Sequence, residues 1–209
     1  VPRLAERKSV RNMQYYKEGD KVINSYYDEE ELSQIGLKSY GKNVLISRKA
    51  SIYSPEKISI GNHVRIDDFT ILSGEITIGN YIHIGPFCGL FGNCGIEMKD
   101  FSGISSRVCI YSASDDFNGD YLTNSPVIPA QFCKTTGAKV VLDKHVNVGT
   151  GATIMPGVHL KTGTAIGSMG FVYSNTEEWS IYFGIPVKKI GIRKKNLLLF
   201  ETKLTEQER

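Results

Sequence analysis

Ile60–Ile96 reads IGNHVRIDDFTILSGEITIGNYIHIGPFCGLFGNCGI, and an aliphatic residue returns at every sixth place: Ile60, Ile66, Leu72, Ile78, Ile84, Leu90 and Ile96. Four positions after each of these, up to Leu90, stands a small or branched residue: Val64, Thr70, Ile76, Ile82, Cys88 and Cys94. Glycine follows the aliphatic at Gly61, Gly79 and Gly85. A helix would show a 3.6-residue period and a half-buried strand a two-residue period, and this stretch shows neither. A six-residue repeat marks a parallel β-helix, in which each hexad is one side of a triangular coil.

The same step extends backward through Ile46, Ile52 and Ile58, with a two-residue slip in phase before Ile60. A second slip separates Ile96 from Met98, after which Met98, Ile104 and Ile110 resume the period. The last block is Leu142, Val148, Ile154, Leu160, Ile166 and Val172. Three hexads make a coil, so about six coils are expected, stacked to a prism roughly 30 Å tall. Between Tyr111 and Lys139 the repeat is absent. A polar, turn-rich loop of that length in a compact solenoid is expected to carry function.

The 209 residues suffice for one such core. With 25 basic and 22 acidic side chains the net charge is +3, which demands no nucleic-acid partner. The four cysteines, Cys88, Cys94, Cys109 and Cys133, have no metal-ligand spacing. Cys88 and Cys94 are expected inside the coils as reduced thiols, which suits a cytoplasmic setting. No apolar run approaches a membrane span.

Around the prism, residues 1–12 are basic, aperiodic and precede Met13; they read as a remnant of an expression vector or a disordered arm. Residues 13–43 are expected to cap the first coil. Within them Asp28 and Glu31 form a capping box for a short helix that stops at Gly36, with Leu32 and Ile35 against the open end. The β-helix occupies 44–173 with its inserted loop at 111–139. Residues 174–209 form a C-terminal extension, in which Lys188–Arg209 reads as a basic, then amphipathic helix.

The tandem hexads, the interrupting loop and the ending Gly184-Ile-Pro-Val-Lys-Lys-Ile190 resemble the hexapeptide-repeat acyltransferases. Within them, YYDEEELSQIGLKSYGKNVLIS, RIDDFTILSG and IYSASDD are most similar to the branch that N-acylates nucleotide-linked amino sugars. The resemblance spans roughly residues 26–195. It implies a mainly β chain folded as a left-handed parallel β-helix, against the usual right-handed crossover. It further implies a homotrimer with sites between adjacent prisms. Acetyl-CoA or another acyl-CoA is the implied co-substrate and an amino-deoxysugar for surface polysaccharide the acceptor, with no metal required.

The resemblance also assigns residues. Gly149, Thr150 and Ser168 match corner positions whose backbone meets the pantetheine arm, and Lys188, Lys189 and Arg193 lie where the CoA phosphates are expected. Ser73 and His83 match a serine and a histidine that approach the sugar amine, with His83 a proton acceptor. Asp67 and Asp68 on the same early run, and Asp115 and Asp116 at the root of the loop, are candidates for sugar hydroxyls or the ammonium proton. Acidic pairs at turns equally serve to accept backbone amides. The O-acetyltransferases of the family carry a loop histidine where this chain has Tyr111-Ser-Ala-Ser-Asp-Asp116. Its absence favours an amine acceptor, which is nucleophilic without a strong base. A sugar O-acetyltransferase or a non-catalytic β-helix are the alternatives. Successive histidines, at His63, His83, His145 and His159, lie 20, 62 and 14 apart, unlike the three-histidine zinc site of the β-helical carbonic anhydrases. His63, His145 and His159 are read as structural residues at surface corners.

Overall fold

The computed structural model of the protein describes residues 17–18, 21–22, 25–123 and 126–207; the basic segment 1–12 lies outside these. The hexads form a left-handed parallel β-helix of about seven turns. On its first face Val44–Ile46, Val64–Ile66, Ile82–Ile84, Gly103–Ile104, Asn147–Val148 and Ala165–Ile166 stack in parallel. The second face is Ser51–Tyr53, the first halves of Ile71–Ile78 and Gly89–Met98, then Cys109–Tyr111, Thr153–Ile154 and Phe171–Val172. The third is Ile58–Ile60, the second halves of those two long strands, then Val140–Leu142 and His159–Leu160.

Both hexad positions point inward, and pairs such as Val64 and Ile66, Ile82 and Ile84, or Val146 and Val148 are buried to within 2%. Each fully buried Ile or Leu contributes about 2 kcal/mol. Cys88 follows this rule, and burial pushes its thiol up to about 11. Cys94 does not: it is exposed. From Leu90 to Met98 the chain takes eight steps instead of six, the register shifts between Gly92 and Ile96, and Ile96 takes the inward place beside Ile76.

Both phase slips are lengthened corners, and they fall on one edge of the prism, between the second and third faces. The first is the 3-10 turn Pro55–Lys57, the second the bend at Gly92–Gly95, and the long loop leaves from the same edge one coil later. Within that loop Ala113–Asp115 pairs antiparallel with Thr135–Gly137. The edge between the third and first faces is regular instead. There His63, Tyr81, Phe101, His145 and Trp179 all take left-handed φ values of 52–63°. That conformation costs roughly 1–2 kcal/mol per residue, and ring stacking offsets part of it. His63–Tyr81 centroids are 4.7 Å apart, Tyr81–Phe101 4.6 Å and Phe101–His145 5.4 Å. Above them Trp179 lies where a side chain at Gly163 would stand, 2.5 Å from the position of its Cβ.

Helix α1 (Glu29–Gln34) forms with the capping box in place: Glu31 N donates to Asp28 Oδ1 and Asp28 N to Glu31 Oε2, each at 2.9 Å. Leu32 is buried in the common core, and Ile35 and Leu37 lean on it. The C-terminal reading needs correction. Lys188 and Lys189 belong to a strand, Val187–Ile192, folded back antiparallel on Ser180–Gly184 around the Gly184-Ile-Pro-Val turn. The β-branched Val187, Ile190 and Ile192 favour the strand, and Ser180–Gly184 offers it an antiparallel partner. The helix, α2, is only Leu197–Gln207.

Candidate functional site

His83 stands between the buried Ile82 and Ile84, so its imidazole must project outward from the first face. It meets Asp67, the corner residue of the coil beneath. His83 Nε2 is 2.7 Å from Asp67 Oδ2. The other carboxylate oxygen accepts from Arg65 Nε at 2.6 Å and from the Tyr26 hydroxyl at 3.1 Å. Arg65 also lies over the Tyr26 ring, 5.4 Å from its centroid. Burial alone would raise the Asp67 carboxyl; hydrogen bonds from His83 and Arg65 overcome it and hold that carboxyl below its ordinary range. Burial and the Asp67 charge push the Tyr26 phenol up. An ionised Asp67 that accepts from Nε2–H leaves Nδ1 of His83 with its lone pair, on an imidazole that is 58% exposed. Chemically, a pair of this kind can take up a proton at the mouth of a groove.

That groove, about 360 Å³, runs up the corner from His83 past Pro86, Ser105 and Ser106 to Thr150. Its floor is small residues and backbone. Gly149 sits beside Thr150, but the fold already requires it, since a Cβ there would lie 2.6 Å from Ser168 N. Ser168 is exposed one coil higher on the same edge. On the other side of the first face a second recess, about 390 Å³, lies beneath α2 and is lined by Tyr81, His83, Phe101, Leu197 and Leu204 among others.

The remaining candidates separate. Ser73 lies on the second face, between Tyr53 and Phe91, in a third recess of about 520 Å³ with Lys38, Lys57 and Asn93. None of these recesses contains both Ser73 and His83. Asp68 accepts from Ser47 and from Lys49 at 3.1 Å, which ties it to the corner. Asp116 accepts from the amides of Asp120 at 2.8 Å and Tyr121 at 3.0 Å, so it closes the turn of the loop, while Asp115 faces Thr135 at 3.3 Å. Lys189 pairs with Glu177 at 2.6 Å, and Lys188 is exposed on the same strand. Arg193 does not reach outward: its Nη1 donates to the carbonyls of His145 and Gly163. His145, expected at the surface, is 5% exposed beneath α2 and bonded to Glu201 at 2.8 Å. Sequence reading missed Arg65 and Tyr26. Arg65 had a signal, the two-residue spacing from Asp67; Tyr26, 41 positions away, had none.

No family model matches the chain. A protein of Escherichia coli described as dTDP-4-amino-4,6-dideoxy-D-glucose acyltransferase is 42% identical over 181 residues, covering 85% of this chain and 94% of its own. AntD, an N-acyltransferase from Bacillus cereus crystallised with dTDP and 3-hydroxybutyryl-CoA, is 49% identical, with a TM-score of 0.86 over 89% of this chain and 99% of AntD. Other AntD crystals carry substitutions of a serine and of an aspartate ten positions beyond it, with dTDP or dTDP-4-amino-4,6-dideoxyglucose and coenzyme A bound. A maltose O-acetyltransferase from Clostridium difficile 630 shares the fold, with a TM-score of 0.52 and 17% identity over 80% of this chain and 75% of its own.

Proposed function

The chain belongs to the nucleotide-linked amino-sugar N-acyltransferases of hexapeptide-repeat fold, and we propose that it transfers an acyl group from acyl-CoA to the amine of a dTDP-linked 4-amino-4,6-dideoxyhexose. The observation that carries this is a solvent-facing His83–Asp67 pair at the end of a groove floored by small residues. Pantetheine lies along that groove against Ser105, Ser106 and Thr150. The thioester carbonyl then stands at His83. The lone pair of the sugar amine attacks the carbonyl carbon, and the tetrahedral adduct collapses with cleavage of the C–S bond. Nδ1 of His83 takes the ammonium proton and passes it to the departing thiolate, so the products are an amide and free CoA. Binding both substrates in one cleft supplies most of the acceleration, because a neutral amine needs little activation.

Ser73 is the natural partner of His83 at the amine. The two are ten positions apart; a serine followed ten positions later by an aspartate, the pair substituted in AntD, stands in this chain at Ser105–Asp115 and Ser106–Asp116 instead. Ser73 and His83 stand on different faces of one prism, so their convergence requires the second face of one copy to meet the first face of the next. A homotrimer satisfies this three times over. Tyr53, Tyr111 and Tyr173, exposed along the second face at 58%, 36% and 60%, supply the apolar contact. Lys38 and Lys57 beside Ser73 give the nucleotide phosphates cationic partners.

Release of CoA, followed by thiol titration, tests the reading. The acceptors are dTDP-linked 3-amino- and 4-amino-6-deoxyhexoses set beside plain galactosides and maltose. Turnover confined to amino sugars is expected; turnover with the plain sugars sinks the proposal.

A further inference from the structure

We infer that the recess beneath α2 is the acyl-chain subsite, and that it takes short apolar chains longer than acetyl, of the butyryl class. The inference rests on the acyl-CoA reading above. The pantetheine groove and the recess adjoin: His83, Gly103 and Asn147 line both. A thioester whose pantetheine arm lies in the groove and whose carbonyl stands at His83 therefore points its chain across Gly103 into the recess. The two compartments differ in chemistry as the two ends of the thioester do. The groove offers hydroxyls and backbone to an amide-bearing arm. The recess offers Tyr81, Phe101, Leu197, Phe200 and Leu204. The charged groups in its wall are already matched, Glu201 to His145 and Lys144, and Arg193 to two carbonyls.

Gly103 is the second observation. The outward positions of the first face carry Leu45, Arg65, His83, Gly103, Asn147, Ala165 and Ile181 in register, and only Gly103 lacks a side chain. The fold does not ask for glycine there. Its φ is not positive, and an added Cβ would meet nothing nearer than the His83 carbonyl oxygen at 3.5 Å, an ordinary contact. By contrast, a Cβ at Gly85 would lie 2.7 Å from Ser106 N. Where Gly85 is a packing requirement, Gly103 is a gap kept open between two cavities.

The test uses the full chain with one amino-sugar acceptor and compares kcat/KM for acetyl-CoA and butyryl-CoA. Two further buried methylenes favour butyryl by roughly tenfold in the wild type. Gly103→Val closes the passage and Leu204→Trp fills the recess from the exposed helix. Each is expected to lower the butyryl-to-acetyl ratio by about tenfold or more, with thermal unfolding recorded alongside. Leu204→Trp keeps the test decisive if Gly103→Val fails to fold. A wild type that refuses butyryl, or variants that lose both activities equally, overturns the subsite. So does a Leu204→Trp protein whose oligomeric state changes while its ratio holds, which would give the recess to a neighbouring copy. Failure to release CoA from any thioester defeats the acyl-CoA reading itself, whereas acetyl turnover with an unmoved ratio defeats the subsite alone.

Discussion

Asp67 answers to three side chains at once, and its place in the coil explains why. It is the first residue past the buried Ile66, so its carboxylate turns along the corner beneath His83 instead of out into solvent. Asp67 and Asp68, candidates for sugar hydroxyls or the ammonium proton, have separate partners: Asp68 is held by Ser47 and Lys49, while Asp67 meets the imidazole of His83. Asp67→Asn keeps the volume but removes the charge that selects the Nε2–H tautomer. It is expected to lower kcat by about tenfold with little change in KM for either substrate, and His83→Gln to lower kcat by about a hundredfold. Steady-state kinetics on both substrates checks this; an equal rise in KM would make Asp67 a binding residue instead. The outward placement of His83 was legible, because a polar residue between two inward isoleucines can only face outward. Its partners were not, since Tyr26 reaches Asp67 only after the chain has turned back on the first coil.

Two helices close the prism, and each was readable to a different degree. Helix α1 announces itself through Asp28, Glu31 and Gly36, local signals that tertiary context has no reason to override. Asp28→Ala removes the side-chain acceptor for Glu31 N and is expected to cost about 1 kcal/mol, measurable by denaturant unfolding. Helix α2 announces only that it is amphipathic; what it covers depends on His145. Burial holds that imidazole below its ordinary 6.5, although Glu201 pulls the other way. The unfolded chain therefore takes up a proton below about pH 6.5 that the folded chain resists, and stability falls as pH drops from there toward the lower folded value. Glu201 adds a second, more acid window. Burial opposes ionisation, yet Lys144 and His145 hold its carboxyl below 4.5, so its contribution is kept above 4.5 and lost as pH falls through the folded value. Thermal unfolding from pH 8 to 2 is expected to show both losses, and His145→Gln, which keeps a donor for Glu201, to erase the first. A first loss that survives in His145→Gln assigns it to another group.

At the scale of the whole molecule, insertion follows position. Both phase slips and the long loop leave the same edge, beside Ser73. The groove edge keeps its strict period from coil to coil, which a ligand lying across several coils requires. If one copy supplies His83 and its neighbour Ser73, mixed oligomers have a distinctive behaviour. Ser73→Ala and His83→Ala proteins, each impaired alone, should regain about a quarter of wild-type activity when unfolded and refolded together, because that fraction of interfaces recovers both residues. No recovery above the sum of the two parents would place the whole site in one copy. Among the described residues no helix is long and apolar enough to cross a membrane.

By itself the sequence determined the coil. A six-residue period has one structural solution, since inward positions must repeat wherever a hexad turns a corner, and this made the faces, the outward histidine and the N-terminal cap legible. It also carried the family, through motifs whose residues sit at those corners. Tertiary structure alone decided the rest. That Ser73 and His83 occupy different faces, that Arg193 serves two carbonyls, that Lys188 lies on a strand and that Gly103 joins two cavities all depend on which coils stack and where the C-terminal segment folds back. Such contacts join residues tens of positions apart, and a repeat, being the same in every coil, does not distinguish one level of the prism from another.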